Sequence, residues 1–146
     1  MIEFFKKGFK TLRFKGKKPS PLGDLEEKVM NIIWEKKKAT VRDVLHELNK
    51  KENFAYTTIM TIMDRLYKKG LLKREKKGLG YIYYPVITKE EFEKKTAEKV
   101  ITELIENNPE LTLAAFQGAV EKLSKEEIDK LYKIIEEKRK KNERKQ

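Results

Sequence analysis

In the middle of the chain the apolar residues recur every three or four positions, which is the spacing of one buried face on each of three helices. The spacing predicts helices over 24–36, 41–48 and 56–69. Thr40 followed three residues later by Asp43 predicts a capping box at the start of the second helix. The positions that define the three buried faces are Leu25, Val29, Ile32 and Ile33, then Val41, Val44, Leu45 and Leu48, then Ile59, Ile62, Met63 and Leu66.

The helical spacing of the apolar residues ends after the third helix. Two runs of β-prone residues, 71–76 and 81–85, flank a short segment that contains Gly78 and Gly80. This order is typical of a β-hairpin. Its tip is basic because the turn begins at Lys77.

The last third of the chain has helical spacing only. Thr88 with Glu91 and Ser124 with Glu127 predict the starts of two helices, and residues 111–123 form a further helix between them. Short helices of this kind bury little apolar surface alone, so we expect them to pack against a second copy of the chain. The residues assigned to this homodimer interface are Phe116, Val120, Ile128, Leu131, Ile134 and Ile135.

The first twenty residues combine an apolar face with cations. Four apolar residues at helical spacing predict a short basic amphipathic helix over 2–14. These residues are Ile2, Phe5, Phe9 and Leu12. The segment 15–23 contains two glycines and two prolines and is predicted to be a linker, so the folded body is expected to begin near Asp24. The helix is open to three roles: an arm on the DNA backbone, a helix on an anionic membrane surface, or a packing element of the dimer.

Composition narrows the class of protein. The chain has 146 residues, no cysteine and one histidine, which excludes a disulfide framework, Cys-ligated metal and a thiol nucleophile. No arrangement of side chains typical of an enzyme occurs, so we predict no catalytic, cofactor-binding or metal-binding residues and no small-molecule substrate. The sequence has no apolar run long enough for a membrane span or a signal peptide, and a soluble cytoplasmic protein is expected.

Positive charge adds a candidate partner. The formal net charge is +11, and the excess cations cluster in three stretches. Residues 1–20 and 65–77 each hold seven Lys or Arg against one acid, and residues 138–145 hold six against one. Clustered cations favour an anionic partner, either nucleic acid or an acidic membrane. For the last stretch we favour an ordinary solvated surface.

Three helices followed by a hairpin are typical of a winged helix-turn-helix. In that arrangement the third helix enters the major groove of double-stranded DNA and the hairpin, or wing, follows the phosphate backbone. Hydroxyls and cations face away from the buried side of the third helix, and further cations lie on the wing. An intrahelical pair between Asp64 and Lys68 is an ordinary alternative for two of these positions. The predicted DNA-binding residues are Thr57, Thr58, Met60, Thr61, Arg65, Lys68, Lys73, Arg74, Lys76 and Lys77.

Residues 22–85 resemble the BlaI/MecI family of penicillinase and methicillin-resistance repressors. The matching motifs are LGDLE at 22–26, TVRDVL at 40–45, YTTIMTIMDRLYKKGLL at 56–72 and YIYYP at 81–85, with Trp34 at the end of the first helix. The resemblance implies a homodimeric transcriptional repressor that binds a palindromic operator through a winged helix and dimerises through C-terminal helices. It extends weakly over 111–135, and by motif position the family meets DNA at Thr57, Thr58, Met60, Thr61 and Arg65.

Three departures limit what the resemblance implies. Without cysteine, the copper-sensing route of some relatives is excluded. The Asn–Phe bond cleaved in antibiotic-responsive members has no counterpart in the helical region, since Asn53–Phe54 precedes the third helix. Met60 is apolar where some members carry a cation, which leaves base preference there undefined.

The predicted fold class is mostly α with a small β-hairpin, a winged helix-turn-helix followed by a C-terminal helical dimerisation region. The expected divisions are an N-terminal extension over 1–21, a DNA-binding domain over 22–87, a dimerisation region over 88–137 and a basic tail over 138–146. The alternative function is a membrane-surface or protein-docking adaptor that uses residues 2–14.

Overall fold

A computed structural model describes residues 3–6, 12–16 and 18–145 of the chain. These residues form helices and two small antiparallel sheets, and the predicted fold class, a winged helix-turn-helix followed by a helical region, is confirmed. The chain divides into two compact units, residues 1–101 and 102–146. Its elements are α1 (Glu3–Lys6), β1 (Arg13–Lys15), β2 (Lys18–Ser20), α2 (Asp24–Lys36), α3 (Val41–Leu48), α4 (Tyr56–Lys68), β3 (Leu72–Lys77), β4 (Gly80–Pro85), α5 (Lys89–Asn107), α6 (Pro109–Val120) and α7 (Lys125–Lys145).

The core of the first unit forms where α2, α3 and α4 turn their apolar faces toward one another. Each of the three predicted helices is present within one residue of its expected end, and the Thr40–Asp43 capping box is formed at 2.9 and 3.1 Å. Gly70 has a φ of 86°, a left-handed conformation that glycine adopts without strain, and it lets the chain leave α4 for β3. Nine of the twelve predicted apolar positions are buried, and Leu25, Ile32 and Leu45 are partly buried. Six of the nine are completely buried: Val29, Ile33, Val44, Ile59, Met63 and Leu66.

The hairpin β3–β4 is joined to the helices at its base. Arg74 is opposite Tyr83 in the register, and Gly78 has a φ of 60° in the tight turn. Tyr83 exchanges two backbone hydrogen bonds with Ala39, at 2.9 and 3.0 Å, so the segment between α2 and α3 extends the sheet. The Trp34 indole donates a hydrogen bond to the carbonyl of Ile87 at 3.0 Å and ties the end of the hairpin to α2.

The N-terminal segment belongs to the core, so the prediction that the folded body begins near Asp24 was wrong. Residues 15–23 were predicted to be a linker, but β1 pairs with β2 across this stretch, and Leu22 is 2% exposed. Phe5 is 1% exposed, and its ring lies 5.8 Å from that of Phe92 at the start of α5. Prolines are compatible with a two-stranded edge, as Pro19 illustrates in β2. The stretch therefore contributes to a small sheet, although its local sequence opposes a helix.

The same contacts bear on the predicted amphipathic helix. Within the described residues, helix α1 covers Glu3–Lys6, and two residues of the predicted apolar face, Ile2 and Phe9, lie outside the described residues. Phe5 points into the protein and is not available to a membrane surface. In the described part of the chain, helices long and apolar enough to cross a bilayer do not occur.

The second unit contains the end of α5, then α6 and α7. Asn108 caps α6 through the Leu111 amide at 3.1 Å, and the predicted Ser124–Glu127 capping box begins α7 at 3.0 and 3.2 Å. The residues predicted to be a basic tail, 138–145, continue α7 as regular helix. Among the described residues from 102 to 145, no side chain is buried.

Candidate nucleic-acid interface

The exposed face of α4 follows from burial of the opposite face. Ile59, Ile62, Met63 and Leu66 repeat every three or four residues and anchor the helix in the core. The side chains on the remaining sector face outward as predicted. They are Thr57, Thr58, Met60, Thr61 and Arg65.

One of these threonines is partly engaged within the helix. The hydroxyl of Thr61 donates a hydrogen bond to the Thr57 carbonyl at 2.8 Å. Its oxygen retains acceptor capacity, and its methyl group is directed away from that bond. Thr61 therefore offers an acceptor and an apolar contact. In the described part of the protein, the side-chain donors of Thr58 and Arg65 have no partner within the helix.

A groove of about 840 Å³ lies between α4, the first turn of α3 and the wing. Arg42 and Tyr56 line it, with the Arg42 guanidinium 5.5 Å from the centre of the Tyr56 ring. Neither residue was among the predicted DNA-binding positions. The available signal was the capping box at Thr40, which places Arg42 in the first turn of the helix beside α4.

The wing carries exposed cations. Lys76 and Lys77 are exposed, and within the described residues neither makes an ion pair. Lys73 is also exposed, with its ammonium 5.9 Å from the centre of the Tyr84 ring. Leu79 projects fully from the tip between the two strands. Three ammonium groups of the hairpin are therefore exposed.

Lys68 adopts the ordinary alternative considered above. Its ammonium lies 3.0 Å from the carboxylate of Asp64 one turn earlier in α4. Hydrogen bonds from Lys68 first and Arg74 second hold the pKa of Asp64 below its usual value. Because the Lys68 side chain is 73% exposed, the pair is screened by solvent and leaves the ammonium accessible.

Arg74 differs from the other wing cations, with which the prediction grouped it. Its guanidinium donates hydrogen bonds to Asp64 at 2.9 Å and to the Tyr83 hydroxyl at 3.4 Å. The same group lies 3.9 Å from the centre of the Tyr67 ring and 4.2 Å from that of Tyr81. The hydrogen bond to Tyr83, followed by that to Asp64, raises the pKa of Arg74. The side chain faces α4 and is only 21% exposed.

The predicted dimer residues lie on α6 and α7 and leave apolar surface accessible. Phe116, Ile128, Ile134 and Ile135 are between 45% and 64% exposed, and Val120 and Leu131 are half-buried. Neighbouring apolar side chains are also exposed. They are Leu104, Ile105, Leu111, Leu113 and Tyr132.

A three-helix core, an exposed polar face on the third helix and a basic hairpin beside it define a winged helix-turn-helix protein. The family model of the penicillinase repressor matches residues 22–137, and the chain belongs to this family. The resemblance drawn from the sequence motifs is thereby confirmed. Residues 1–21 lie outside the match.

Similar proteins span nearly the same length. The chain is 32% identical over 117 residues to the methicillin resistance regulatory protein MecI of Staphylococcus aureus (strain N315), which covers 80% of this chain and 94% of MecI. It is 31% identical over 121 residues to the penicillinase repressor of Bacillus licheniformis, covering 83% and 94%. Among solved structures, the DNA-binding domain of the repressor BlaI aligns at 35% identity with a TM-score of 0.43, over 47% of this chain and 83% of that domain.

Proposed function

We propose that this protein is a transcriptional repressor that binds double-stranded DNA as a homodimer, with α4 in the major groove and the wing along the phosphate backbone. The observation that carries the proposal is the groove in the first unit that Met60 and Thr61 of α4 line together with Arg42 of α3 and Lys77 of the wing. Membership of the penicillinase repressor family supports it. So does the likeness to relatives named as a resistance regulator and a penicillinase repressor.

Base reading is assigned to the exposed face of α4. Arg65 has a planar fork of donors that suits the O6 and N7 acceptors of guanine, and the Thr58 hydroxyl bonds either to a base edge or to phosphate. Thr57, Thr61 and Met60 offer small or apolar contacts of the kind that the thymine methyl group accepts. The side chains of these residues are exposed and are not part of the buried core.

Phosphate neutralisation is assigned to exposed cations around the groove. Lys73, Lys76 and Lys77 lie on the wing, and Lys68 lies at the end of α4. To these we add Arg42, since it lines the groove from the opposite side. Cations on both sides of the helix place its polar face between two phosphate backbones, which is the arrangement that a helix in the major groove requires.

Homodimerisation is assigned to the apolar side chains of α6 and α7. A palindromic operator presents two half-sites about one helical turn apart, so two recognition helices must be held at that spacing. The second unit exposes more apolar side chains than its own helices cover. An isologous contact with a second copy is the arrangement that buries the same patch on both chains.

The test begins with selection of a preferred duplex from a random pool, followed by a salt titration of binding. Displaced counterions drive phosphate binding, so affinity should fall steeply as salt rises. Replacing Lys76 and Lys77 with Ala should reduce the logarithmic salt slope by about 1 for each lost contact and weaken all duplexes alike. Arg65→Ala should cost roughly 1–3 kcal/mol on the preferred duplex and relax its base preference.

A matched control is the pair Lys140→Ala and Lys141→Ala, which removes the same charge from the exposed end of α7. This variant should keep the salt slope of the unmodified protein. A flat salt titration, or equal effects of the two lysine pairs, would contradict the assignment of the wing to the phosphate backbone.

A further inference from the structure

Arg74 makes four side-chain contacts, two of which connect the wing to α4. Its guanidinium reaches Asp64 and Tyr67 on α4 and also Tyr81 and Tyr83 on β4. We call these five residues the Arg74 cluster. A guanidinium is suited to this task because its flat face stacks on aromatic rings while its edge donates hydrogen bonds.

The cluster lies at the level where the hairpin is also held through its backbone. Tyr83, which is opposite Arg74 in the register, pairs with Ala39, and the Trp34 bond to Ile87 fixes the base of the hairpin. Beyond the cluster, β3 and β4 continue to the turn at Gly78 and Leu79, which line the outer groove. The contacts of Arg74 with α4 therefore restrict the rotation of the basic tip toward or away from the recognition helix.

We propose that Arg74 is a positioning residue that sets the distance between the base-reading face of α4 and the phosphate-binding tip of the wing, an inference that rests on the proposed function. A preferred duplex must satisfy base contacts and phosphate contacts together, so it requires the tip at one distance from the helix. A non-preferred duplex held through phosphates alone tolerates other positions of the tip. Arg74 thus contributes to discrimination between sequences without contacting a base.

The first experiment compares Arg74→Met with Lys73→Met in the full chain. Both variants lose one positive charge from β3, but Lys73 is exposed and Arg74 faces α4. Affinity is measured for the preferred duplex and for a scrambled duplex over a range of salt concentrations. Retained melting temperature and circular dichroism establish that each variant is folded.

For Arg74→Met we expect affinity for the preferred duplex to fall about 10-fold with an unchanged salt slope, as follows if the released wing occupies its productive position about a tenth of the time. Affinity for the scrambled duplex should change less than about 2-fold on the same reasoning. Lys73→Met should instead weaken both duplexes and lower the salt slope by about 1. The positioning role is refuted if Arg74→Met behaves as Lys73→Met does, or if it changes neither duplex.

Two further variants distinguish a positioning role of Arg74 from a direct charge contact. They also provide the test if Arg74→Met does not fold. Arg74→Lys keeps the charge but lacks the flat fork, so it should lose discrimination as Arg74→Met does, whereas a direct phosphate contact would survive. Asp64→Asn adds net positive charge and frees Lys68 from its partner. A purely electrostatic role predicts tighter binding by Asp64→Asn, and a positioning role predicts weaker binding to the preferred duplex.

A measurement without DNA distinguishes failure of this inference from failure of the proposed function. Residual dipolar couplings of the β3 and β4 amides, fitted with the orientation of α4, report whether the hairpin is fixed relative to the helix. The unmodified protein should fit one orientation, and Arg74→Met should show reduced couplings toward the tip. Unchanged couplings would overturn the positioning role even if the protein binds DNA, and reduced couplings would support it even if duplex binding is absent.

Discussion

The two compact units have the same helical periodicity and opposite burial. In residues 1–101 the apolar faces of α2, α3 and α4 meet one another, and many of their side chains are completely buried. In the described residues from 102 to 145, side chains at the same spacing stay exposed or half-buried. Periodicity therefore identifies the face of a helix that avoids water, but the partner that covers this face depends on the rest of the fold.

The exposed apolar residues of the second unit are too numerous to be scattered surface positions. Leu104 and Ile105 lie on the part of α5 that belongs to this unit, and further exposed apolar residues occur on α6 and α7. Contiguous exposed apolar surface in a natural protein marks an interaction site. The difference between the units thus supports the proposal that a second copy of the chain covers the apolar side chains of the second unit.

The first comparison places an aspartate on an apolar position in each unit, and the substitution in the first unit should have the largest effect on stability. Ile62 is 9% exposed in α4 and Ile134 is 64% exposed in α7. Ile62→Asp buries a carboxylate without a partner and should unfold the first unit, because the cost of several kcal/mol is comparable with the whole stability of a small domain. Loss of the cooperative thermal transition in circular dichroism would report it.

Ile134→Asp is the matched substitution in the second unit. It should leave the melting of the first unit intact and weaken self-association by about 2 kcal/mol or more, as expected of a central interface residue. Sedimentation equilibrium measures the association. A folded Ile62→Asp protein would reverse the assignment of the α4 face, and an Ile134→Asp protein that remains fully dimeric would place the interface elsewhere.

A smaller effect tests whether the N-terminal segment belongs to the first unit. Phe5 is 1% exposed, and Phe14 on β1 is 74% exposed. Phe5→Ala should cost roughly 3–5 kcal/mol through the cavity left beside Phe92. Phe14→Ala should stay within about 0.5 kcal/mol, as is usual for surface positions. Urea unfolding gives both values, and equal effects of the two substitutions would contradict the packing of the segment.

The features that the sequence predicted are local ones. The three helices, the two capping boxes and the hairpin depend on residues within a few positions of each other, where spacing carries the information. The same holds for the exposed face of α4, since it is the complement of a buried face that the periodicity defines. The assignment of Thr58 and Arg65 to a solvent-facing surface therefore needed only helical geometry.

The features that the sequence analysis missed depend on residues far apart in the chain. Phe5 is buried against Phe92, and no local signal connects the two. Lys69 donates to the Glu26 carboxylate at 2.6 Å across 43 positions, a contact that joins the end of α4 to the start of α2. Arg74 resembles the other wing cations in sequence and differs only because the hairpin folds back on α4. Long-range packing decided each of these outcomes.

The smallest expected change in stability comes from the capping boxes, of which each unit contains one. The hydrogen bond from the Thr40 amide lowers the pKa of Asp43, and that from the Ser124 amide lowers the pKa of Glu127. A carboxylate whose pKa is lowered by folding stabilises the fold. Its contribution is complete when the pH is above the pKa of the same group in the unfolded chain, which is about 3.9 for Asp and about 4.3 for Glu. That contribution is lost as the pH falls through the lowered pKa of the folded state. Both boxes should therefore weaken only in acid.

The substitutions Asp43→Asn and Glu127→Gln test this comparison. At neutral pH, Asp43→Asn should lower the melting temperature of the first unit, because α3 belongs to its buried core. The difference from the unmodified protein should begin to shrink below about pH 3.9, where the unfolded chain binds a proton at Asp43, and should vanish as the pH falls through the lowered pKa of the folded state. Glu127→Gln should instead speed amide exchange in the first turn of α7 and leave that melting temperature unchanged, since the helix has no buried residue in the described chain. If Glu127→Gln lowered the melting temperature as much as Asp43→Asn does, the two units would unfold together and would not be independent.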